Sequence, residues 1–90
     1  MYKVEYTNKF KRDYKQALKR GYQEAKIRQV ISLIANKSTL AVKHNAHKLS
    51  GDYKDCWECH IQPDWLLIWR IDEDNKTLTL IRTGTHSDLF

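Results

Sequence analysis

Residues 56–71 read CWECHIQPDWLLIWRI, and the way this stretch is divided decides the fold. WLLIWRI (65–71) is almost entirely apolar, which predicts a central strand covered on both faces. DYKDCWECHI before it and TLTLIRT after it also read as strands. Pro63-Asp64 separates the first pair and DEDNK (72–76) the second. Both gaps suit hairpins, so this part of the sheet is expected to be antiparallel.

The same stretch contains Cys56-Trp57-Glu58-Cys59-His60, a C-x-x-C-H pattern of the kind that attaches haem. A strand argues against that use, because residues three apart point to opposite faces. Trp57, Cys59 and Ile61 then share an apolar face, and Cys56, Glu58 and His60 share the other. A zinc site built from Cys56 and Cys59 with His44 and His47 needs a tight turn where Trp57-Glu58 favours a strand. A redox pair fails on distance, since extended chain sets the two cysteines roughly 10 Å apart. The expectation is that Cys59 packs in the core, that Cys56 is a partly exposed bystander, and that no haem, metal or other cofactor is needed.

Toward the N-terminus, YKVEY (2–6) alternates as a short strand, with Thr7 or Asn8 placed to cap a helix. Phe10, Tyr14, Ala17 and Leu18 recur at helical spacing up to Gly21, a natural stop. Ile27, Val30, Ile31 and Ile34 mark a second helix from about Tyr22 to Asn36. Residues 37–52 read as a connection, and the tail GTHSDLF as too short for a full element. The predicted architecture is an α+β domain spanning 1–90, ordered β-α-α-β-β-β, with a helical hairpin packed on a small, mainly antiparallel sheet.

Net charge is +5, unevenly spread. Residues 1–54 hold 13 Lys and Arg against four acids, and residues 55–90 hold three against seven. A basic half suggests a polyanionic partner, against the plainer reading of a solvated helix surface. The chain lacks a long apolar run and MYKVEYTNKF lacks a signal core, so neither a membrane span nor export is expected, and a cytoplasmic location is.

His47, His60, Asp64, Arg82 and His86 fall in the loop before the sheet, at strand ends or in the tail, where scaffolds present chemistry. Trp65 and Phe90 offer aromatic rings on which a base can stack. His, Asp and Arg together suit phosphodiester cleavage, with one group taking the 2′-OH proton, another protonating the 5′-oxygen and a cation steadying the phosphate.

HKLSG (47–51), CHIQPDWLLIWRI (59–71) and RTGTHSDLF (82–90) resemble the YafQ-type members of the RelE/ParE superfamily of bacterial toxins. The resemblance covers nearly the whole chain and is most specific from His47 to Phe90. It implies a RelE-like fold and a metal-independent endoribonuclease that cleaves messenger RNA, typically in the ribosomal A site. It implies 2′-OH attack, a cognate antitoxin that neutralises the toxin, and functional positions at His47, His60, Asp64, Trp65, Arg82, His86 and Phe90.

Each residue also has a plainer role. His86 is read as general acid rather than a surface histidine, and His60 as a phosphate contact or a structural histidine. His47 and Asp64 compete for the base, against a bare loop residue and a turn former. Arg82 shares parity with Leu78 and Leu80, an awkward place for a charge unless the strand ends or bulges, and this favours a phosphate role. Trp65 is a stacker or core, and Phe90 a stacker or a frayed end. The rival functions are a non-catalytic, gyrase-blocking ParE-like toxin, a zinc-stabilised nucleic-acid-binding module, and an inactive relative that still binds an antitoxin.

Overall fold

The computed structural model describes residues 1–38, 40 and 44–90. Thr39 and residues 41–43, part of the connection expected over 37–52, lie outside the described residues. The chain runs β1 (Lys3–Tyr6), α1 (Asn8–Lys19), α2 (Glu24–Ala35), β2 (His47–Lys48), β3 (Trp57–Gln62), β4 (Trp65–Asp72), β5 (Thr77–Gly84) and α3 (His86–Leu89). The α+β class and the order of the main elements follow the sequence reading. The two-residue β2 and the four-residue α3 are additions to it.

Thr7 does cap α1, its Oγ1 accepting from the Phe10 N–H at 2.9 Å. The same hydroxyl donates to the Ile81 carbonyl at 2.7 Å, tying the start of α1 to β5. Gly21 takes φ +88, a left-handed conformation open to glycine at little cost, and the chain reverses there. The second helix starts at Glu24 rather than Tyr22, because Gln23 is extended.

The five strands form one sheet in the order β1-β5-β4-β3-β2. β3, β4 and β5 are joined by the expected antiparallel hairpins, while β1 lies parallel to β5 at the edge. β4 is central, and Trp65 to Trp69 are all buried. Trp65, Leu67 and Trp69 face the helical hairpin, packing with Phe10, Ile27 and Val30. Leu66 and Ile68 face the other way, into a smaller cluster with Cys56 and Leu89.

Pairing resolves the parity of Arg82. Ile68 pairs with Arg82 but Trp69 pairs with Leu80, so Ile81 is an extra residue in β5. This bulge moves Arg82 off the face of Leu78 and Leu80 and onto that of Ile68. A bulge was one of the two escapes open to the sequence.

The tail is corrected too. Thr85 Oγ1 accepts from the Asp88 N–H at 3.1 Å, and the Asp88 carboxylate accepts from the Thr85 N–H at 2.9 Å. This reciprocal capping box lets a single helical turn persist at the end of the chain.

Leu67 has no exposed surface and sits at the centre of the larger core. Leu67→Ala is expected to lower unfolding stability by about 2–5 kcal/mol. Chemical denaturation checks this, and a loss well under 1 kcal/mol would show that β4 is not the keystone of the core.

Candidate active site

Two turns bring the sequence-predicted residues together. The β3–β4 hairpin places His60 near the end of one strand and Asp64 in the turn. The end of β5 leads through Thr85 into α3, whose first residue is His86. There Asp64 Oδ1 accepts the backbone N–H of His86 at 3.0 Å and lies 2.6 Å from its Nδ1. A carboxylate can only accept, so Nδ1 carries the proton in this hydrogen bond and Nε2 faces away for other work. The His86 backbone N–H, then its side chain, hold the Asp64 carboxyl below the usual aspartate range. The His60 ring meets the His86 ring edge-on, 5.6 Å between centroids.

A residue the sequence reading left unassigned lies behind them. Glu58 is buried at 4% exposure, on the same strand face as His60. Its Oε1 is 3.4 Å from His47 Nε2 and 3.9 Å from His60 Nε2, while Oε2 has no hydrogen-bond partner among the described residues. His47 arrives through β2, which pairs it with Glu58. Its Nδ1 donates to the Asn45 carbonyl at 2.8 Å, which leaves Nε2 to face the carboxylate. Asn45, at φ +48, makes the left-handed turn that aims it. His44, which lacked a motif match, is buried and donates from Nδ1 to the His60 carbonyl at 2.7 Å. Its place is support for the strand that carries His60.

Arg82 is half-buried and tied to α1. Its Nε and Nη2 bond the two oxygens of Asp13 at 2.8 and 2.9 Å, and this pairing holds its proton still more firmly than usual. Asp13 does not take Nη1, and the Tyr53 hydroxyl is a second, lesser neighbour of the guanidinium.

Two aromatic expectations separate. Phe90 is 65% exposed, its ring meeting Tyr53 edge-on at 5.5 Å. Trp65 is only 1% exposed, and it donates from Nε1 to Thr83 Oγ1 at 3.0 Å. No base can stack on it, so the RNA-stacking expectation for Trp65 is corrected: it is core, and it anchors the hairpin that carries Asp64.

The cysteines divide as alternation requires. Cys59 belongs to the helix-facing core and Cys56 to the opposite cluster, so the two thiols cannot share one haem, metal or disulfide. Burial pushes the Cys59 thiol up to about 12. Cys56 is 4% exposed, which corrects the expectation of a partly exposed bystander.

Comparison with known proteins bears on the family and the fold. The family model for the bacterial toxin of type II toxin-antitoxin systems, YafQ, matches residues 2–90. The chain belongs to the YafQ family. A curated relative, the mRNA interferase toxin YafQ of Escherichia coli K12, is 34% identical over 88 residues, covering 97% of this chain and 94% of the relative. A metal-bound toxin from Helicobacter pylori superposes with a TM-score of 0.94 at 39% identity, covering both chains fully. YafQ from the Escherichia coli DinJ-YafQ toxin-antitoxin complex superposes with a TM-score of 0.88 at 33% identity, over 99% of this chain and 97% of that one. The fold is therefore the RelE-like fold of YafQ toxins. In this YafQ family member, no group of three or more His, Cys, Asp or Glu side chains among the described residues is arranged to hold one metal ion.

A lowered native carboxyl value means that the Asp64 contact stabilises the fold above the unfolded-state value, and that this is lost as pH falls through the native one. Carbon NMR titration is expected to place the Asp64 midpoint below the ordinary value of about 3.9. In His86→Ala the midpoint rises only part of the way, because the larger cause, the backbone N–H, remains. Full return to the ordinary value would show that the side chain alone sets it.

Proposed function

We propose that this YafQ family member is an endoribonuclease toxin of a type II toxin-antitoxin system, cleaving messenger RNA by acid-base catalysis. The observation that carries the reading is the convergence of the Asp64–His86 pair, His60, and a His47 backed by Glu58. Relatives named mRNA interferase toxin support the substrate, and the DinJ-YafQ complex supports a cognate antitoxin as partner. The site of action is the cytoplasm, on messages held in the ribosomal A site. Among the described residues no helix is long and apolar enough to cross a membrane.

Asp64 is occupied with His86, so it acts as the orienting group rather than the base. His47 is the base: with Nδ1–H bonded to Asn45, Nε2 is the nitrogen that accepts the 2′-OH proton. Glu58 Oε1, 3.4 Å from that nitrogen, stabilises the imidazolium so formed. The 2′-oxygen attacks phosphorus, the bond to the 5′-oxygen breaks, and His86 Nε2 delivers the proton that oxygen needs. The Arg82 guanidinium and the His60 ring stabilise the charge on the pentavalent phosphate. Phe90 gives a flanking base an exposed ring on which to stack. A gyrase-blocking toxin has no use for these groups, and a zinc module cannot use two cysteines on opposite faces.

Cleavage of a translated message in a purified translation system tests the reading. Loss of a general acid typically costs 10²–10⁴-fold, so His86→Ala is expected to cut at least about 100-fold more slowly. Cleavage by folded wild type that survives His86→Ala would reject the assigned acid. No cleavage by folded wild type would leave an inactive relative that binds an antitoxin.

A further inference from the structure

Beyond Leu80, β5 has no strand on one side among the described residues. β1 ends opposite it, with Tyr6 paired to Leu80. The gap is closed by side chains of α1. Asp13 Oδ2 accepts the Thr83 N–H at 3.3 Å, standing in for the missing strand, while the same carboxylate grips Arg82. Seven residues on, two helical turns along the same face, Arg20 reaches the next segment of chain. Its Nη1 and Nη2 donate to Asp88 Oδ2 and Oδ1 at 2.6 and 3.3 Å.

Asp88 is no ordinary surface partner. Its carboxylate also closes the capping box on Thr85, one residue before His86. It lies so close over β5 that a Cβ on Gly84 would sit 2.9 Å from Oδ2. Arg20, ahead of Thr85, holds the Asp88 carboxyl far below the usual range. α3 is only one turn long, and a single turn does not hold its own shape in water. Phe90, the residue that follows it, is exposed, while Leu89 within it is buried. The direction of His86 therefore depends on what grips α3 from outside: Asp64 on one side, Arg20 on the other, and beneath it the cluster of Leu66 and Ile68 in which Leu89 is buried, with the Leu89 carbonyl accepting from the Tyr53 hydroxyl at 3.3 Å.

We propose that α1 is a brace for the reaction centre, with Asp13 and Arg20 as positioning residues that set Arg82 and His86. This rests on the ribonuclease reading for its kinetic consequence, and on geometry alone for its structural one. Neither residue touches the scissile phosphate in this scheme. Each works through the group it holds. A helix on the far side of the sheet thus decides whether the acid and the phosphate-binding cation stand in register, although exposed ion pairs such as Arg20–Asp88 add little to global stability.

The 90-residue chain, cutting a translated message in a purified translation system, is compared as wild type, Arg20→Ala, Arg20→Lys and Lys19→Ala. Loose alignment of a reacting group costs rate rather than affinity, so Arg20→Ala is expected to lose about tenfold or more in kcat, with KM within about twofold. Arg20→Lys, which keeps a cation for Asp88, recovers most of that loss. Lys19→Ala removes the same charge from an adjacent exposed position and reports what charge loss alone does, an effect expected in KM. Backbone relaxation supplies a readout that needs no activity. Order parameters over residues 86–89 start near about 0.85 and fall towards about 0.6 in Arg20→Ala, while the core strands stay rigid. Rigid residues 86–89 in Arg20→Ala overturn the brace, as does a kinetic change matching Lys19→Ala. Loosening of 86–89 in a wild-type background that cuts no RNA keeps the brace and removes the ribonuclease reading.

Discussion

Five consecutive buried residues, Trp65 to Trp69, run through the middle of the sheet, and alternation sends their side chains to opposite faces. Both faces must then be covered. The helical hairpin covers one, using the larger core. The other is covered by much less: Cys56, Leu89 and the flanking Leu49, Tyr53 and Ile81. Its remainder is left to groups that can tolerate water, and it is there that Glu58, His60 and Arg82 point. The division of β4 therefore yields both a stable side and a reactive side from one strand.

The reactive side keeps its polar groups paired. Asp64 satisfies Nδ1 of His86, Asn45 satisfies Nδ1 of His47, and Asp13 satisfies two nitrogens of Arg82. In each case the partner fixes orientation without taking every nitrogen of the side chain. Glu58 is the exception, a carboxylate buried at 4% exposure with one oxygen unpartnered among the described residues. Burying an acceptor that lacks a partner is costly, and such groups persist where function needs them. Two imidazoles beside its other oxygen supply the reason here.

Much of this was legible beforehand. The apolar run of β4, the hairpins around it and the helical spacing of Ile27, Val30 and Ile34 are local patterns, and local patterns survive folding. His60, Asp64 and His86 were singled out because they flank turns, and turns are what bring them together. What escaped the sequence reading depends on long-range partners. Asp13 meets Arg82 across 69 residues, and no spacing rule announces that. Glu58 was on the right face, but only the pairing of β2 with β3 shows that it is buried beside His47. Trp65 was ambiguous because an aromatic residue after a turn suits either a core or a stacking role, and the depth of Thr83 and Tyr22 around it decided for the core. The Thr85–Asp88 capping box was readable as T-x-x-D, yet a helix of one turn is too short for periodicity to detect.

The central claim is that this face cleaves RNA through its own 2′-hydroxyl, with imidazoles moving the protons. The chemistry of the new ends tests that most directly. RNA cut by the purified protein, analysed by mass spectrometry, is predicted to carry a 2′,3′-cyclic phosphate or 3′-phosphate on one fragment and a 5′-hydroxyl on the other. Fragments ending in a 3′-hydroxyl and a 5′-phosphate would contradict it, because they require water to attack phosphorus and leave the 2′-oxygen without a part.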